Sequence, residues 1–509
     1  MGIIIRQSIK GTIANYIGIV VGFVTTFFVL TKYLTLEEVG LTRALVDIAI
    51  LFSGLAQLGT TSSMMRFYPY FNDEEHKDHG VFFWSIVIPL VGFFIFLAVF
   101  FLCQDWVISK YEKNAPLLVQ YYYFVIPIAF FMLYMSVFEV NSNVLMRITV
   151  PKFIREVVVR VMLLIGYLIF AVDVISLDGL VIWFCVTYGV ATLLNIIYLL
   201  SLKRISFKPD WKHLTPRLKK DFCFYTLFIV TAALAGNITP TLSTLFVSAD
   251  MGMAYTGIFT IATYIATMVE IPYRSLGSIT QPQIAIAVKD NNIQEADRLC
   301  KKVSLHQLLA GAFIFLIVWI NIDLAFQILP NGDKYSAGKW VVFILALSRL
   351  YSSAFNIGSS ILGYSRYYYM SLVFTFALTF SAIYLNVKLI PLMGMTGSAL
   401  SNLLPTVVVN LLLLALVKWK CGTSPFSGAQ LKVVLVIAVL FLVNVLWKNS
   451  IYPLIISAFS NELLGAIVDG VVKTGIFAVI VAVVVYFWRV SEEVNMLMKK
   501  ALAFIKIKL

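Results

Sequence analysis

Charge is scarce in this chain. Asp, Glu, Lys and Arg together make up 13% of its 509 residues, while 60% are hydrophobic. A soluble domain carries about 25% charge. A surface so poor in ionic groups suits hydrocarbon rather than water. Histidine is rarer still, with four copies, and the five cysteines (Cys103, Cys185, Cys223, Cys300 and Cys421) form no C-x-x-C pair. That spacing gives no zinc site and no disulfide framework. The cysteines read as small apolar packing residues. No metal and no cofactor is expected.

Acidic residues are the scarcer sign, 26 against 39 basic, leaving a formal net charge of +13. Nucleic-acid binding would need a basic domain with stacking aromatics outside the apolar runs. No polar stretch is long enough to form one, so no nucleic-acid partner is expected. The run Gly11–Leu30 is too long for a signal-peptide core and has no small-residue cleavage site after it, so it reads as an uncleaved first helix.

What is present is a succession of apolar runs. About 20 apolar residues at 1.5 Å each cross a hydrocarbon core of about 30 Å. Runs of that kind fall at 12–31, 42–64, 81–102, 119–140, 154–172, 179–201, 222–247, 254–273, 303–329, 339–361, 367–389, 394–417, 430–448 and 467–488. The expected fold class is therefore an all-α polytopic membrane protein of about fourteen helices. With these spans, 28 of the 39 Lys and Arg lie in segments on the side of the N-terminus. Eight lie on the other side and three within spans. Basic loops stay cytoplasmic. Both termini are accordingly expected in the cytoplasm.

The segment 202–221 is basic, holds two prolines and follows the sixth run, so it reads as a linker. The expected layout is an N-terminal lobe at 1–201 (helices 1–6) and a C-terminal lobe at 222–417 (helices 7–12). Helices 13 and 14 occupy 418–488, and an amphipathic cytoplasmic tail 489–509. An internal echo supports two lobes: Gly40 and Gly257 each stand near the start of the second helix of a lobe. Six spans per repeat would leave both lobes in the same orientation.

The stretch Ser8–Phe71 contains an apolar first helix, the hairpin K-Y-L-T-L-E-E-V-G (Lys32–Gly40) and R-F-Y (Arg66–Tyr68). In these it resembles polysaccharide-biosynthesis flippases, Wzx-type, of the multidrug/oligosaccharidyl-lipid/polysaccharide exporter superfamily. Glu270-Ile-Pro272 resembles a Glu-x-Pro element of that superfamily's eighth helix. The resemblance implies a V-shaped pair of six-helix lobes plus two C-terminal helices. It implies alternating-access transport of an undecaprenyl-pyrophosphate-linked oligosaccharide between leaflets of the bacterial inner membrane. The product would feed surface polysaccharide assembly (O-antigen, capsule or exopolysaccharide). It also implies no catalytic residues, a monomer surrounded by membrane lipid, and contact with a polysaccharide polymerase and a chain-length regulator. Two departures stand out. Where many members carry an Asp-Arg pair in helix 7, this chain has Ser243 and Thr244. Where lipid II flippases carry an Arg before the Glu-x-Pro element, it has Thr267.

Charge at membrane depth costs at least about 2.5 kcal/mol, so each instance asks for a partner or a use. Four pairs have helical i, i+4 spacing: Arg43 with Asp47, Glu156 with Arg160, Glu270 with Arg274, and Asp469 with Lys473. A pyrophosphate crossing low dielectric would meet its match in the planar, permanently charged fork of Arg. Arg43, Arg66, Arg274 and Arg349 are the substrate-binding candidates, with Asn15 and Asn237 as polar groups for sugar or gating. Against this stand mutual ion pairing, snorkelling of Arg66 and helix–helix bonding by the Asn residues. Asp47, Glu139, Glu270 and Asp323 are candidates for coupling to an H+ or Na+ gradient. The tyrosine clusters 121–123 and 367–369 read as interfacial belts.

Three other functions fit parts of the pattern. A multidrug exporter of the same superfamily would favour acids over arginines in the spans. A membrane glycosyltransferase, polymerase or ligase would need a catalytic outer loop, and neither 103–118 nor 449–466 has acids and His in catalytic spacing. A scaffold for sugar assembly would need no charge in its spans.

Overall fold

A computed structural model describes residues 3–73, 76–203, 206, 208–210 and 215–504. The side chains of 3–10, 12, 217–218, 223, 227–228, 231–240, 274–279, 282 and 501–504 fall outside that description. Among the described residues the regular secondary structure is all helical, with no strand. The helices are α1 (Ile3–Val24), α2 (Leu36–Ala56), α3 (Thr60–Phe67), α4 (Val81–Leu102), α5 (Val125–Val144), α6 (Val159–Ala171), α7 (Leu177–Ser201), α8 (Pro216–Met251) and α9 (Met253–Thr267). They continue as α10 (Ile271–Lys289), α11 (Ile293–Ile320), α12 (Lys339–Phe355), α13 (Ile357–Tyr364), α14 (Met370–Cys421), α15 (Gly428–Ser450), α16 (Glu462–Phe487) and α17 (Glu492–Phe504).

Ten of these runs are long and apolar enough to cross a membrane, and eleven if the pair Gly332–Phe355 and Ile357–Tyr364, bent by 42°, counts as one crossing. The chain is a multi-pass membrane protein. The count differs from the expected fourteen for three local reasons. Expected span 154–172 lies on helix, but Arg155, Glu156 and Arg160 make it too charged to qualify. Expected span 222–247 lies on α8, most of whose middle falls outside the side-chain description. Expected spans 367–389 and 394–417 fall on one 52-residue run, α14, interrupted at Gly394 (φ 58°, ψ −135°). Ser398 Oγ donates to Asn386 Oδ1 at 2.9 Å, twelve positions away. On a straight helix those residues would be about 18 Å apart. The chain therefore turns back on itself at Gly394, and α14 is a hairpin of two arms.

The chain divides into two compact units, Met1–Thr260 and Ile261–Leu509. In the first, α2 packs on α4, α5 and α8, and its Leu41, Ala44, Leu45 and Ala49 are all nearly inaccessible. Its start is fixed by a capping box: Glu38 N–H donates to Thr35 Oγ1 at 3.3 Å, and Thr35 N–H to Glu38 Oε2 at 2.8 Å. The hairpin motif thus contains its own helix-start signal. Two residues on, Gly40 abuts the Met253 carbonyl so closely that a Cβ would sit 2.2 Å from the oxygen. A Cβ on Gly257 would sit 2.1 Å from the Leu36 carbonyl oxygen. The two glycines of the internal echo face each other where α2 meets the start of α9.

In the second unit, α11 packs on α10, α12 and α15, and α12 packs on α14. Ile284, Cys300, Ile361, Leu362 and Val417 form one of its buried clusters. Helix α17 covers the first part of the expected tail, and residues 505–509 lie outside the description. Lys302 reaches Glu493 at 2.6 Å, tying α17 to α11.

Candidate functional site

Charged side chains pair within spans in both units. In the first unit Arg43 Nε donates to Asp47 Oδ2 at 2.9 Å along one face of α2. Asp47 is 1% exposed, Arg43 25%.

In the second unit Arg349, on α12, donates from Nη1 to Glu270 Oε1 at 3.0 Å. Glu270 ends the turn after α9, where Pro272 opens α10. Helical spacing pointed Glu270 at Arg274, whose side chain lies outside the described residues. The structure gives Glu270 a cation 79 positions away, Arg349. Arg349 keeps 32% of its side chain accessible and Glu270 16%. Around them, Asn356 Nδ2 donates to Tyr273 Oη at 3.3 Å, and Ser353 Oγ donates to the Arg349 carbonyl at 2.7 Å. The result is a half-open polar patch on α10 and α12. Pairing neutralises a charge that would be expensive alone in hydrocarbon. Because the guanidinium remains partly accessible, a phosphate oxygen could take the place of the carboxylate.

The remaining candidates separate into other roles. Arg66 is exposed at the end of α3 and lies over the Tyr225 ring at 4.2 Å and the Phe67 ring at 5.7 Å, a cation–π seat. Asn15 is half-buried on α1. Asn237 lies outside the described side chains. Glu139 pairs with Arg155 at 2.8 Å, and Arg155 is 49% exposed. Asp323 stands in the short helix Ile322–Ile328, beyond the span that ends at Ile320. Partial burial works to raise its pKa, but contacts to Lys339 and Lys448 outweigh that and hold the carboxyl below its ordinary range. A group held ionised by two lysines is poorly suited to carry a proton.

Glu156–Arg160 and Asp469–Lys473 form the ion pairs their spacing implies, at 2.9 and 3.1 Å. Trp447 Nε1 adds a bond to Asp469 at 2.8 Å. The tyrosine reading needs correction. Tyr121 and Tyr122 are buried, Tyr122 stacks on Phe100 at 4.1 Å, and Tyr121 donates to Asp178 at 2.6 Å. They pack between helices, and only Tyr123, 50% exposed, suits a belt. Tyr368 and Tyr369 are exposed as a belt requires.

Sequence spacing missed the Glu270–Arg349 pair because it scans one helix at a time. The available signal was that Arg349 had no acid four positions away, so its partner had to come from another helix. It also missed a grouping outside the spans: ligand atoms of Asp73, His76 and His79 lie within 4.8 Å of one another.

The family model for polysaccharide biosynthesis proteins matches residues 4–285. No curated protein matches the chain by sequence. Among solved structures, the lipid II flippase MurJ in an inward closed conformation superposes with a TM-score of 0.69 at 14% identity, over 95% of this chain and 99% of that one. An inward-facing multidrug resistance MATE transporter of the MOP superfamily gives 0.61 at 16% identity, over 83% and 98%. A MOP superfamily transporter from Pyrococcus furiosus gives 0.57 at 14% identity, over 82% and 95%. At these identities the likeness is one of fold.

Proposed function

Because the chain belongs to the polysaccharide biosynthesis protein family, we propose that it is a flippase for a lipid-linked oligosaccharide, moving an undecaprenyl-pyrophosphate-linked sugar from the inner to the outer leaflet of the bacterial cytoplasmic membrane. Family membership over residues 4–285 carries this reading. The fold, common to a lipid II flippase and to exporters, agrees with transport rather than catalysis.

Arg349 is the residue placed to meet the pyrophosphate. In the resting state Glu270 neutralises it at 3.0 Å. A phosphate oxygen arriving at the guanidinium competes with that carboxylate, because both fit the same fork. Protonation of Glu270 removes the competitor and its charge. Substrate and proton then exchange at one group, and the guanidinium meets an anion both before and after the exchange. Arg43 and Asp47 form a second such pair, with less access. On this reading H+ rather than Na+ is the expected coupling ion, with Asp47 and Glu270 rather than Glu139 and Asp323 as the coupling acids. Both termini, on the positive-inside count, face the cytoplasm.

Binding tests the reading. In nanodiscs, undecaprenyl pyrophosphate is expected to quench protein tryptophan fluorescence saturably, uncharged undecaprenol only weakly. Arg349→Gln should abolish the difference between the two lipids. Equal binding of both lipids by the wild type would remove the pyrophosphate from the account. Preferential binding of a cationic drug would favour a multidrug exporter.

A further inference from the structure

Outside the spans, the short segment between α3 and α4 brings three ligand-type side chains together at spacing D-x-x-H-x-x-H. Asp73 Oδ2 lies 2.8 Å from His76 Nδ1 and 3.4 Å from His79 Nε2. His79's other nitrogen, Nδ1, is 2.9 Å from Asp210 Oδ2, in the expected linker. Asp210 N–H also donates to the His79 carbonyl at 3.3 Å. Asp73 is held from behind by the fully buried Asp78, whose Oδ1 accepts from Asp73 N–H at 3.0 Å and whose Oδ2 accepts from Tyr68 Oη at 3.1 Å. Among the described residues this is the one group of three His, Cys, Asp or Glu within metal-ligand reach.

We propose that Asp73, His76 and His79 bind a divalent metal ion of the zinc class, with Asp210 as the carboxylate that orients His79. If His79 donates its Nδ1 proton to Asp210, its Nε2 presents a lone pair beside a carboxylate oxygen at 3.4 Å. The two rings stack at 5.2 Å with planes only 8° apart. A divalent ion there meets two imidazoles and a carboxylate at once. Ligand atoms about 2.0–2.1 Å from a tetrahedral zinc stand about 3.3 Å from each other, close to the His79–Asp73 separation. His76, 65% exposed, has the freedom to swing into place. Two imidazoles and one carboxylate suit zinc-class ions over magnesium or calcium. A carboxylate on the far nitrogen of a ligating histidine is the usual outer-shell support. Since His79 and Asp210 come from the α3–α4 segment and the linker, metal binding would fasten one to the other.

Full-length protein without a polyhistidine tag, stripped by chelator in detergent micelles, is titrated with Zn2+ against a chromophoric competitor. Co2+ is added in parallel for its visible absorption. The expected result is one site per chain with a nitrogen–oxygen Co2+ spectrum. His79→Gln and Asp73→Asn should weaken binding at least tenfold, and Asp210→Asn about tenfold to a hundredfold. His306→Gln, distant in sequence, should leave it unchanged. No competition by the wild type would overturn the proposal. So would undiminished binding in His79→Gln, or Co2+ bands of thiolate ligation, which would place the ion on a cysteine. Should His79→Gln fail to fold, the wild-type spectrum and the conservative Asp210→Asn variant still decide.

Discussion

Arg349 Nη1 donates to Glu270 Oε1 at 3.0 Å, joining α12 to the turn before α10 across 79 positions of sequence. If the pair were only structural, any arrangement restoring opposite charges would serve. If Arg349 binds pyrophosphate, its identity matters. The double exchange Glu270→Arg with Arg349→Glu is expected to recover much of the stability lost in Arg349→Glu alone, yet transport less than a tenth of the wild-type rate. Thermal midpoints and flipping rates measured on the same samples check this. Full transport by the exchanged pair would make it a structural contact.

Asp469 and Lys473 give the opposite expectation. Both are buried on α16, with Trp447 bonded to the acid. Removing one member leaves a buried charge and costs about 3–5 kcal/mol. Replacing both with apolar residues of similar volume should fall close to neutral. Asp469→Leu should therefore lower the unfolding midpoint sharply, Asp469→Leu with Lys473→Met far less, and the double variant should still transport.

Gly40 and Gly257 set the approach of α2 to the start of α9. An added Cβ at either would stand 2.1–2.2 Å from a carbonyl oxygen, which backbone must move to relieve. Gly40→Ala is expected to reduce yield of folded protein and lower the thermal midpoint by several degrees. Gly475→Ala, with open space around it, should change neither. Size-exclusion profiles and melting curves compare the two.

Glu493 titrates well below its ordinary value, at about 2. Its hydrogen bond with Lys302 is the leading cause, aided by Ser491 and opposed by partial burial. His306 also stands 3.8 Å away. An acid depressed on folding stabilises above its unfolded pKa of about 4.5 and loses that contribution as pH falls toward 2. Docking of α17 should be constant from neutrality down to about pH 5 and weaken below it. Protease access to residues 492–504, followed against pH, measures this. Lys302→Gln should show the loosened tail already at neutral pH.

Much of this was legible in the residues. The apolar runs located the helices, and the i, i+4 pairs at Arg43–Asp47, Glu156–Arg160 and Asp469–Lys473 formed as spaced. The expected second span began at 42, whereas α2 begins at Leu36, where Thr35 and Glu38 form a capping box that hydropathy does not register. What periodicity could not reach were contacts between helices. The Glu270–Arg349 pair gave no sign in the spacing because helical spacing sees only its own helix. Tyr121 and Tyr122 resembled a belt because hydropathy does not distinguish a lipid headgroup from a neighbouring ring. The hairpin in α14 depends on one glycine conformation at Gly394. The Asp73–His76–His79 cluster was passed over because its support, Asp210, is more than 130 positions away.

The most direct test of the flippase reading is leaflet exchange. Liposomes containing the purified protein and a labelled undecaprenyl-pyrophosphate oligosaccharide are probed with an impermeant sugar-modifying reagent, with and without a pH gradient. The account expects exchange accelerated at least tenfold over protein-free liposomes, faster with the gradient, and reduced to background by Arg349→Gln. Exchange at the protein-free rate for every anionic lipid-linked sugar offered, by protein that is folded and inserted, would contradict it.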